Sequence, residues 1–419
     1  MRTVLAILLT AAVAGCGDSG PSAPAGTVVA DSLARFPTIA LQHDGTALVA
    51  WTSAGDGATN VYLASVVDGT AGAAVRVNDV PGDAATHGQA PAQVAVAHDG
   101  TVYVAWISQR DTPGRRFPAT DLRLARSDDG GRSFAPAVTV NDDGGFRSGH
   151  HFHDVAVAPD GAVFVSWLDT RVRDAARAGA AGGDGAGDAH RAAHDEARTR
   201  EGHDHAAGAD AGTEVRVARS DDGGRTFGPS TVIASGSCEC CRTRLAFTRD
   251  GAVLVAWRHQ FEADVRDPAV ARSDDGGRTF GAPVRVGRDA WRISGCPHSG
   301  PAVAVDASGR VHLAWYTGAE GRAGLYHAIS ADGGATFGDP VAVAPSVPGT
   351  TPALAGDGAG GAWLAWEDRR AGVTRVAHVG AEGSLAPGEP VAGATPALAP
   401  ARRPALVVVD GGRVAMVGR

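Results

Sequence analysis

The sequence predicts an all-β protein, a β-propeller of six four-stranded blades, and three observations support this prediction. A hairpin phrase that ends in Trp recurs six times, and a turn phrase rich in Asp and Gly recurs four times. The composition agrees, because Gly is abundant (58 of 419 residues) and aromatic residues make up only 5%. So much Gly disfavours a helical protein, and units of roughly 50 residues that repeat in this way are typical of propellers.

The first recurring phrase predicts a β-hairpin. In "FPTIALQHDGTALVAW", two runs of alternating apolar residues flank a D-G turn. Alternation with a period of two indicates half-buried strands, and a D-G pair between two such runs indicates a hairpin turn. We name its strands A and B. The six versions end at Trp51, Trp106, Trp167, Trp257, Trp315 and Trp366.

The second phrase predicts the turn between strands C and D. It reads "ARSDDGGRSF" at 125–134, "ARSDDGGRTF" at 218–227 and 271–280, and "AISADGGATF" at 328–337. Ser and Asp side chains in such a turn bond nearby backbone N–H groups, while Gly supplies positive φ. We therefore expect a structural role for the central aspartates, which are Asp129, Asp222, Asp275 and Asp332.

The two ends of the chain bear on the number of blades. The C-terminal "RPALVVVDGGRVAMVGR" reads as a further A–B hairpin without its Trp. A short seventh blade, closed by the N-terminal "TVVADS", is therefore the alternative to six. In either case the propeller occupies 31–419.

Cysteine and histidine gather on one predicted face of this propeller. The loops from strand D to the next strand A, and from B to C, share the face that we call the upper face, opposite the A–B and C–D turns. Functional loops of a propeller converge there. The D-to-A loops of blades 3, 4 and 5 contain His150, His151, His153, Cys238, Cys240, Cys241, Cys296 and His298.

These residues predict a site for copper or zinc. Adjacent cysteines such as Cys240 and Cys241 make a strained disulfide, and at most one member of the triplet pairs comfortably with Cys296. Thiolates and imidazoles suit Zn²⁺ or copper, and sulfur favours Cu(I). Two plain disulfides and a redox-active thiol remain the alternatives, because an exported protein works in an oxidising compartment.

The B-to-C loop of blade 3 carries one large insertion, 172–213. It is rich in Ala, Gly and Asp, a composition that predicts disorder, and it contains His190, His194, His203 and His205. Two interpretations of the insertion stay open: it delivers metal ions to the upper face, or it is a tolerated loop without function.

The N-terminus predicts an exported, anchored protein. Residues 1–15 read as a signal peptide, and "VAGC" resembles the lipobox of bacterial lipoproteins, which implies lipidation of Cys16. By that resemblance Gly17 favours the outer membrane, with 16–30 as a flexible tether of small residues. A net charge of −8 with interspersed signs argues against a nucleic-acid partner.

The turn phrase resembles the Asp-box, or BNR repeat, of the sialidase superfamily, and the likeness covers 31–419. This resemblance implies a six-bladed propeller, and "ARFPTIAL" resembles the family's opening motif, which would make Arg35 the first substrate-binding arginine. The family's Tyr–Glu pair has only weak candidates in Tyr316 and Glu320. A sialidase-like hydrolase or glycan-binding module is therefore one competitor of the metal-binding hypothesis. A disulfide-stapled scaffold with a protein ligand at the upper face is another, and the sequence does not decide whether turnover occurs.

Overall fold

The computed structural model describes residues 26–30, 33–55, 58–85, 87–110, 118–145, 147–181, 212–293, 295, 297–403 and 405–417, with only the backbone of 178–181. The predicted signal peptide, Cys16, Cys296 and the histidines of the insertion lie outside these ranges. None of the helical segments in the described part of the chain is long and apolar enough to cross a bilayer.

The described residues form seven antiparallel sheets, six of them built from neighbouring segments of the chain, while the seventh adds a strand from the other end. A first strand, β1 (Thr27–Ala30), precedes the blades. Blade 1 contains β2 (Ala34–Leu41), β3 (Ala47–Gly55), β4 (Ala58–Val67), β5 (Thr70–Ala71) and β6 (Val75–Arg76). Blade 2 contains β7 (Gln93–Val96), β8 (Val102–Arg110), β9 (Ala119–Ser127) and β10 (Val138–Thr139). Blade 3 contains β11 (His150–Val157), β12 (Val163–Asp169), β13 (Glu214–Ser220) and β14 (Thr231–Ser235).

The remaining blades follow the same plan. Blade 4 contains β15 (Arg244–Phe247), β16 (Val253–Phe261), β17 (Val265–Ser273) and β18 (Val284–Arg285), with a 3-10 turn at Glu262–Asp264. Blade 5 contains β19 (Ala302–Val305), β20 (Val311–Thr317), β21 (Gly324–Ser330) and β22 (Val341–Pro345). Blade 6 contains β23 (Ala353–Gly356), β24 (Ala362–Asp368), β25 (Val373–Val379), β26 (Leu385–Pro387) and β27 (Val391–Ala392). Blade 7 contains β28 (Ala394–Ala399), β29 (Ala405–Asp410) and β30 (Arg413–Val417), to which β1 is added.

The A strands line the axis of the ring. Each contacts the A strand of the next blade, and β28 of blade 7 contacts β2 of blade 1, so that the ring closes. The Trp at the end of each hairpin phrase is at most 5% exposed and packs where neighbouring blades meet. The propeller and its hairpins are therefore as the sequence predicted.

The expectation of six blades is wrong, and the alternative of a seventh blade is confirmed. The structure has seven blades, because β1 pairs with β30 in the register Thr27↔Met416 and Val28↔Ala415. Residues 27–30, which the sequence assigned to the tether, thus belong to the propeller. Val29 is buried with Val407 and Met416. The C-terminal hairpin forms strands B and C of this blade, not A and B as predicted, because β28 is its inner strand.

The repeated aspartates organise the C–D turns. In the turn after β9, Asp129 Oδ1 accepts hydrogen bonds from the backbone N–H groups of Arg132 (3.0 Å) and Ser133 (2.9 Å). The hydroxyl of Ser127 donates to the same oxygen (2.7 Å) and accepts a bond from the N–H of Gly131 (2.8 Å). Gly131 has φ of 90°, which favours glycine there. Matching bonds surround Asp222, Asp275 and Asp332.

Helix α1 (Arg171–Ala181) begins the B-to-C insertion of blade 3. The first ten residues of the segment predicted to be disordered are therefore helical. The Cβ that an alanine would add at Gly212 would lie 2.7 Å from Arg173 Cα, so the two ends of the insertion touch at its base.

Candidate metal centre

The loop between β14 and β15 places three cysteines together under the upper face of blade 4. Cys238, Cys240 and Cys241 are 1%, 4% and 0% exposed, so all three side chains are buried. The N–H of Cys238 donates to the carbonyl of Arg258 (3.0 Å), which ties the loop to β16. At its other end, the N–H of Thr243 donates to the carbonyl of Phe152 (2.9 Å) in blade 3. Two blades therefore hold the loop in place.

The separations of the sulfur atoms match those of ligands around one ion. Cys238 Sγ lies 3.6 Å from Cys240 Sγ and 3.8 Å from Cys241 Sγ, and the third pair is 3.8 Å apart. A disulfide requires about 2.05 Å. Thiolates at the usual Zn–S length of about 2.3 Å from a tetrahedral centre lie about 3.8 Å from one another. Among the described residues, these three are the group whose ligand atoms could close around a metal.

Two buried arginines lie beside the sulfurs. Arg258, on β16, is 1% exposed and donates to the carbonyls of Ser299, Arg266 and Tyr316 at 2.6–3.1 Å. Arg266, on β17, is 2% exposed and directs Nη1 at Cys238 Sγ, 3.5 Å away. Buried guanidinium groups stabilise nearby negative charge, so these two favour the thiolate form of Cys238.

The thiols are also coupled to one another. Hydrogen bonds from Cys240 and Cys241, followed by the charge of Arg266, hold the pKa of Cys238 well below its usual range. Burial and the neighbouring Cys238 raise the pKa of Cys241. One thiolate therefore forms readily, while three thiolates together need a cation among them.

Phe152 covers the three sulfurs. Its ring packs against the cysteines, and its φ of 60° is in the left-handed region, rare for an aromatic residue. The pairing of β11 with β12 shifts register between His151 and Asp154, and this irregularity turns the Phe152 ring toward blade 4. The ring of His87 lies 5.4 Å from that of Phe152.

The structure does not bring the predicted histidines of blade 3 into the sulfur group. The ring of His150 bonds the carbonyl of Thr120 and lies 3.1 Å from Asp143 Oδ1. Burial opposes its charge, but Asp143 and Asp169 raise the pKa of His150. His153 Nε2 bonds the carbonyl of Ala105 (3.1 Å), so these rings serve contacts with blade 2.

The third histidine of blade 3 and His298 of blade 5 are also outside the group. Burial, followed by the charge of His150, lowers the pKa of His151 to about 3, and its ring lies 5.8 Å from that of Phe152. His298 borders the central cavity, where its ring lies 6.0 Å from that of His87. Cys296 lies outside the described residues.

The cavity at the upper end of the axis has a volume of about 610 Å³. Among the described residues, its polar lining includes Gln89, Arg242, Arg244, Asp154, Glu367 and Arg369. Arg244 pairs with Asp154 (3.2 Å), whereas Nε of Arg242 has no protein hydrogen-bond partner in the described part of the chain. The cavity is thus lined by cationic groups next to the cysteine loop.

The candidate sialidase residues lie elsewhere. Arg35 is exposed and does not line the cavity. The ring of Tyr316 packs edge-on against Trp291, 5.6 Å away, and Glu320 is exposed beyond the end of β20. The described lining of the cavity contains no tyrosine. A Tyr–Glu nucleophile pair is therefore not assembled among these residues.

The base of the insertion reaches the cysteine loop. Arg173 of α1 forms an ion pair with Glu239, which stands between Cys238 and Cys240. This contact ties the start of the insertion to the cysteine loop.

Sequence reasoning found the cysteines but missed Phe152, Arg258 and Arg266. The sequence held a signal for Arg258. One residue directly follows the Trp of each of the six hairpins, and among these six residues Arg258 alone is positively charged. The others are Thr52, Ile107, Leu168, Tyr316 and Glu367. An arginine inside an otherwise apolar strand indicates a buried anionic partner.

Comparisons with known proteins agree on the fold. No protein-family model matches the sequence, and no functionally curated protein matches it either. Among solved structures, a protein of unknown function from Dyadobacter fermentans is similar at a TM-score of 0.55 and 14% identity, over 94% of this chain and 97% of that one. A polysaccharide lyase described as an ulvan lyase has a TM-score of 0.54 and 10% identity, with 93% and 94% covered.

A sialidase is also among the similar structures. The intramolecular trans-sialidase from Ruminococcus gnavus has a TM-score of 0.51 and 13% identity, over 82% of this chain and 92% of that one. The chain therefore has a sialidase-like propeller fold. At these identities the likeness concerns the fold alone.

Proposed function

We propose that this protein is a β-propeller of the bacterial cell envelope that binds one soft transition-metal ion, copper or zinc, through Cys238, Cys240 and Cys241. The observation that carries the proposal is the mutual separation of 3.6–3.8 Å among the three sulfurs. Thiolates so arranged can all reach one ion, and soft metals prefer thiolate ligands. The envelope location rests on the lipobox resemblance at Cys16.

Burial and charge favour metal binding over disulfides. A disulfide between two of these cysteines would be neutral and would remove negative charge beside Arg266, whose Nη1 is directed at Cys238 Sγ. Buried charges without partners are costly. A metal–thiolate group keeps negative charge beside both guanidinium groups.

The burial of the site supports capture or storage of the ion over catalysis at the ion. The sulfurs are at most 4% exposed, and Phe152 packs on them. A catalytic metal needs an open position for water or substrate. Burial of all three cysteines leaves little room for water or substrate to approach an ion held by them.

Elemental analysis and thiol titration of the same preparation test the proposal. The protein is purified under anaerobic conditions without a His-tag, and we expect one copper or zinc ion per chain. A variant with Cys238→Ser, Cys240→Ser and Cys241→Ser is expected to hold none. A preparation with two disulfides and no metal would contradict the proposal. The matched control is His298→Ala, which removes a donor outside the sulfur group.

An anionic glycan in the central cavity is the second candidate function. The observation that favours it is the guanidinium of Arg242, whose buried Nε atom lacks a protein partner, beside Arg244 and Arg369 in a cavity of about 610 Å³. Buried donors are normally satisfied, and a ligand carboxylate or sulfate would satisfy this one. The lyase and the trans-sialidase of similar fold lend support at the level of fold only.

A thermal-shift screen with acidic and neutral oligosaccharides tests the second candidate. We expect acidic oligosaccharides to raise the melting temperature of the wild type and not that of Arg242→Gln. Equal response of both proteins, or no response to any acidic oligosaccharide, would exclude this cavity as the site. Metal content in Arg242→Gln reports whether the neighbouring cysteine loop is intact.

A further inference from the structure

We infer, on the basis of the proposed metal site, that the ion bound by this protein is monovalent Cu(I) rather than Zn²⁺, and that three thiolates hold it. Two features carry this inference: the balance of buried charge around the sulfurs, and the number of donors that the described residues offer.

The charge of the surroundings matches a monovalent ion. Three thiolates with Cu(I) carry a net charge of −2, whereas the same thiolates with Zn²⁺ carry −1. Two guanidinium groups, each at most 2% exposed, lie near the sulfurs: Arg266 directs Nη1 at Cys238 Sγ (3.5 Å), and the charge of Arg258 also acts on Cys238. Arg242, which follows Cys241 in the chain, lines the central cavity instead. Unbalanced charge in a buried place is costly, so the surroundings favour the complex of charge −2.

The carboxylates near the site do not alter this balance. The side chain of Asp264 pairs with Arg266 at 3.0 Å but is 42% exposed, so water screens its charge. Glu239 is engaged by Arg173 of α1. The donors of Arg258 bond carbonyl oxygens, which are uncharged. The charge of Arg258 also acts on the buried carboxylate of Asp289, but Asp289 pairs with Arg322 (3.3 Å), so positive charge of Arg258 remains for the metal–thiolate group.

The number of metal-binding side chains at the site also favours Cu(I) over Zn²⁺. Structural zinc sites almost always have four ligands in a tetrahedron. Among the described residues, three sulfurs come within ligand distance of one another, and Phe152 packs on them. Cu(I) is a soft d¹⁰ ion that accepts three thiolates without a fourth donor. The packing of the apolar Phe152 ring on the cysteines also limits the access of water to the site.

Three cysteine S–H groups release three protons, one Cu⁺ ion binds the three thiolates, and no electron is transferred. The ion is supplied as Cu(I), so the step needs no reductant.

Competition between the two ions tests the inference. Metal-free protein is loaded anaerobically with one equivalent of Zn²⁺, then titrated with Cu(I) against a chromophoric Cu(I) chelator, and each bound ion is quantified. We expect one equivalent of Cu(I) to displace the zinc, with X-ray absorption giving three sulfur ligands, and Cys296→Ser to behave as wild type. Retention of zinc against Cu(I), or a fourth ligand lost in Cys296→Ser, would overturn the inference. Binding of neither ion would instead contradict the proposed metal site itself.

Variants of the buried arginines test whether charge, and not only the affinity of thiolates for copper, selects Cu(I) over Zn²⁺. Arg266→Gln removes one facing charge and is expected to shift the Cu(I)-to-zinc affinity ratio toward zinc by roughly tenfold or more. Arg266→Lys keeps the charge and is expected to keep the ratio. Arg375→Gln, which removes an exposed arginine of blade 6, is the control for a general change of charge. An unchanged ratio in a folded Arg266→Gln would overturn the charge argument, and circular dichroism establishes that each variant is folded.

Discussion

At the scale of single residues, Phe152 is the feature that separates the sulfurs from solvent. Its ring packs on the three cysteines, and its backbone has φ of 60° at a register shift of β11. Such a conformation costs free energy in a residue with a Cβ, and the surrounding contacts maintain it. The cost is consistent with a role at the site rather than in the strand.

Replacing Phe152 by Ala is expected to expose the bound ion. The free energy of unfolding should fall by about 2 kcal/mol, below the value for a fully buried Phe because this ring is only partly buried. A chelator in solution should then remove the metal faster than from the wild type. Phe152→Leu, which keeps an apolar cover, is the control. Equal rates of removal in all three proteins would show that the ring does not limit access.

The sequence predicted the residue types of the site but not its complete membership. Three cysteines in four positions are visible in any reading of the chain. The sequence did not show that His150 and His153 lie outside the sulfur group. The alternation of strand β11 breaks at the register shift, and the partners of both histidines come from other elements. Arg266 approaches Cys238 across 28 positions of sequence, a contact that local patterns do not encode.

At the scale of elements, the C–D turns link stability to pH. Burial opposes ionisation of Asp332, but hydrogen bonds from Thr336 and Ser330 lower its pKa from 3.8 to about 2. A carboxylate with a lowered pKa stabilises the folded state fully above its unfolded pKa, and the contribution is lost as the pH falls through the folded value. These turns therefore predict a loss of stability between about pH 4 and pH 2.

Asp332→Asn tests this effect. At neutral pH the variant should be less stable by about 1 kcal/mol, a modest value because the carboxylate faces water. The difference from the wild type should shrink as the pH falls below about 4. Urea unfolding at several pH values measures it, with the exposed Asp339→Asn as control. A difference that stays constant down to pH 2 would contradict the role of the ionised carboxylate.

The insertion of blade 3 is expected to be separable from the metal site. Arg173 and Gly212 touch at its base, so a chain lacking 174–211 can be joined there without moving β12 or β13. We expect this deletion to leave one ion per chain and the unfolding midpoint nearly unchanged. A variant with His190, His194, His203 and His205 replaced by Ala separates loss of imidazoles from loss of chain. Loss of the ion in the deletion but not in the histidine variant would show that the segment supports the site structurally.

At the scale of the whole molecule, closure of the ring joins the two ends of the described chain. Six blades follow from local signals, namely the alternation of strands A and B, the D-G turns and the hairpin Trp. The seventh blade lacks its Trp and takes β1 from the other end of the chain, where Thr27 pairs with Met416. Pairing over such a separation has no local periodicity, so the sequence could offer the seventh blade only as an alternative.

Removing β1 tests how much this closure stabilises the propeller. A chain that begins at residue 31 loses the burial of Val29 and the pairing of β1 with β30, and should be less stable by about 2 kcal/mol or more. A chain that begins at residue 26 keeps β1 and is the control. The midpoints of urea unfolding measure the effect, and equal midpoints would contradict the closure.

X-ray absorption of the metal in freshly isolated, tag-free protein tests the central claim most directly, since it reports the atoms bound to the ion. The account predicts one ion per chain with a first shell of three sulfur atoms at about 2.3 Å, absent when Cys238, Cys240 and Cys241 are replaced by Ser. A first shell of nitrogen and oxygen, or a metal-free protein whose sulfur spectrum shows disulfides, would contradict it.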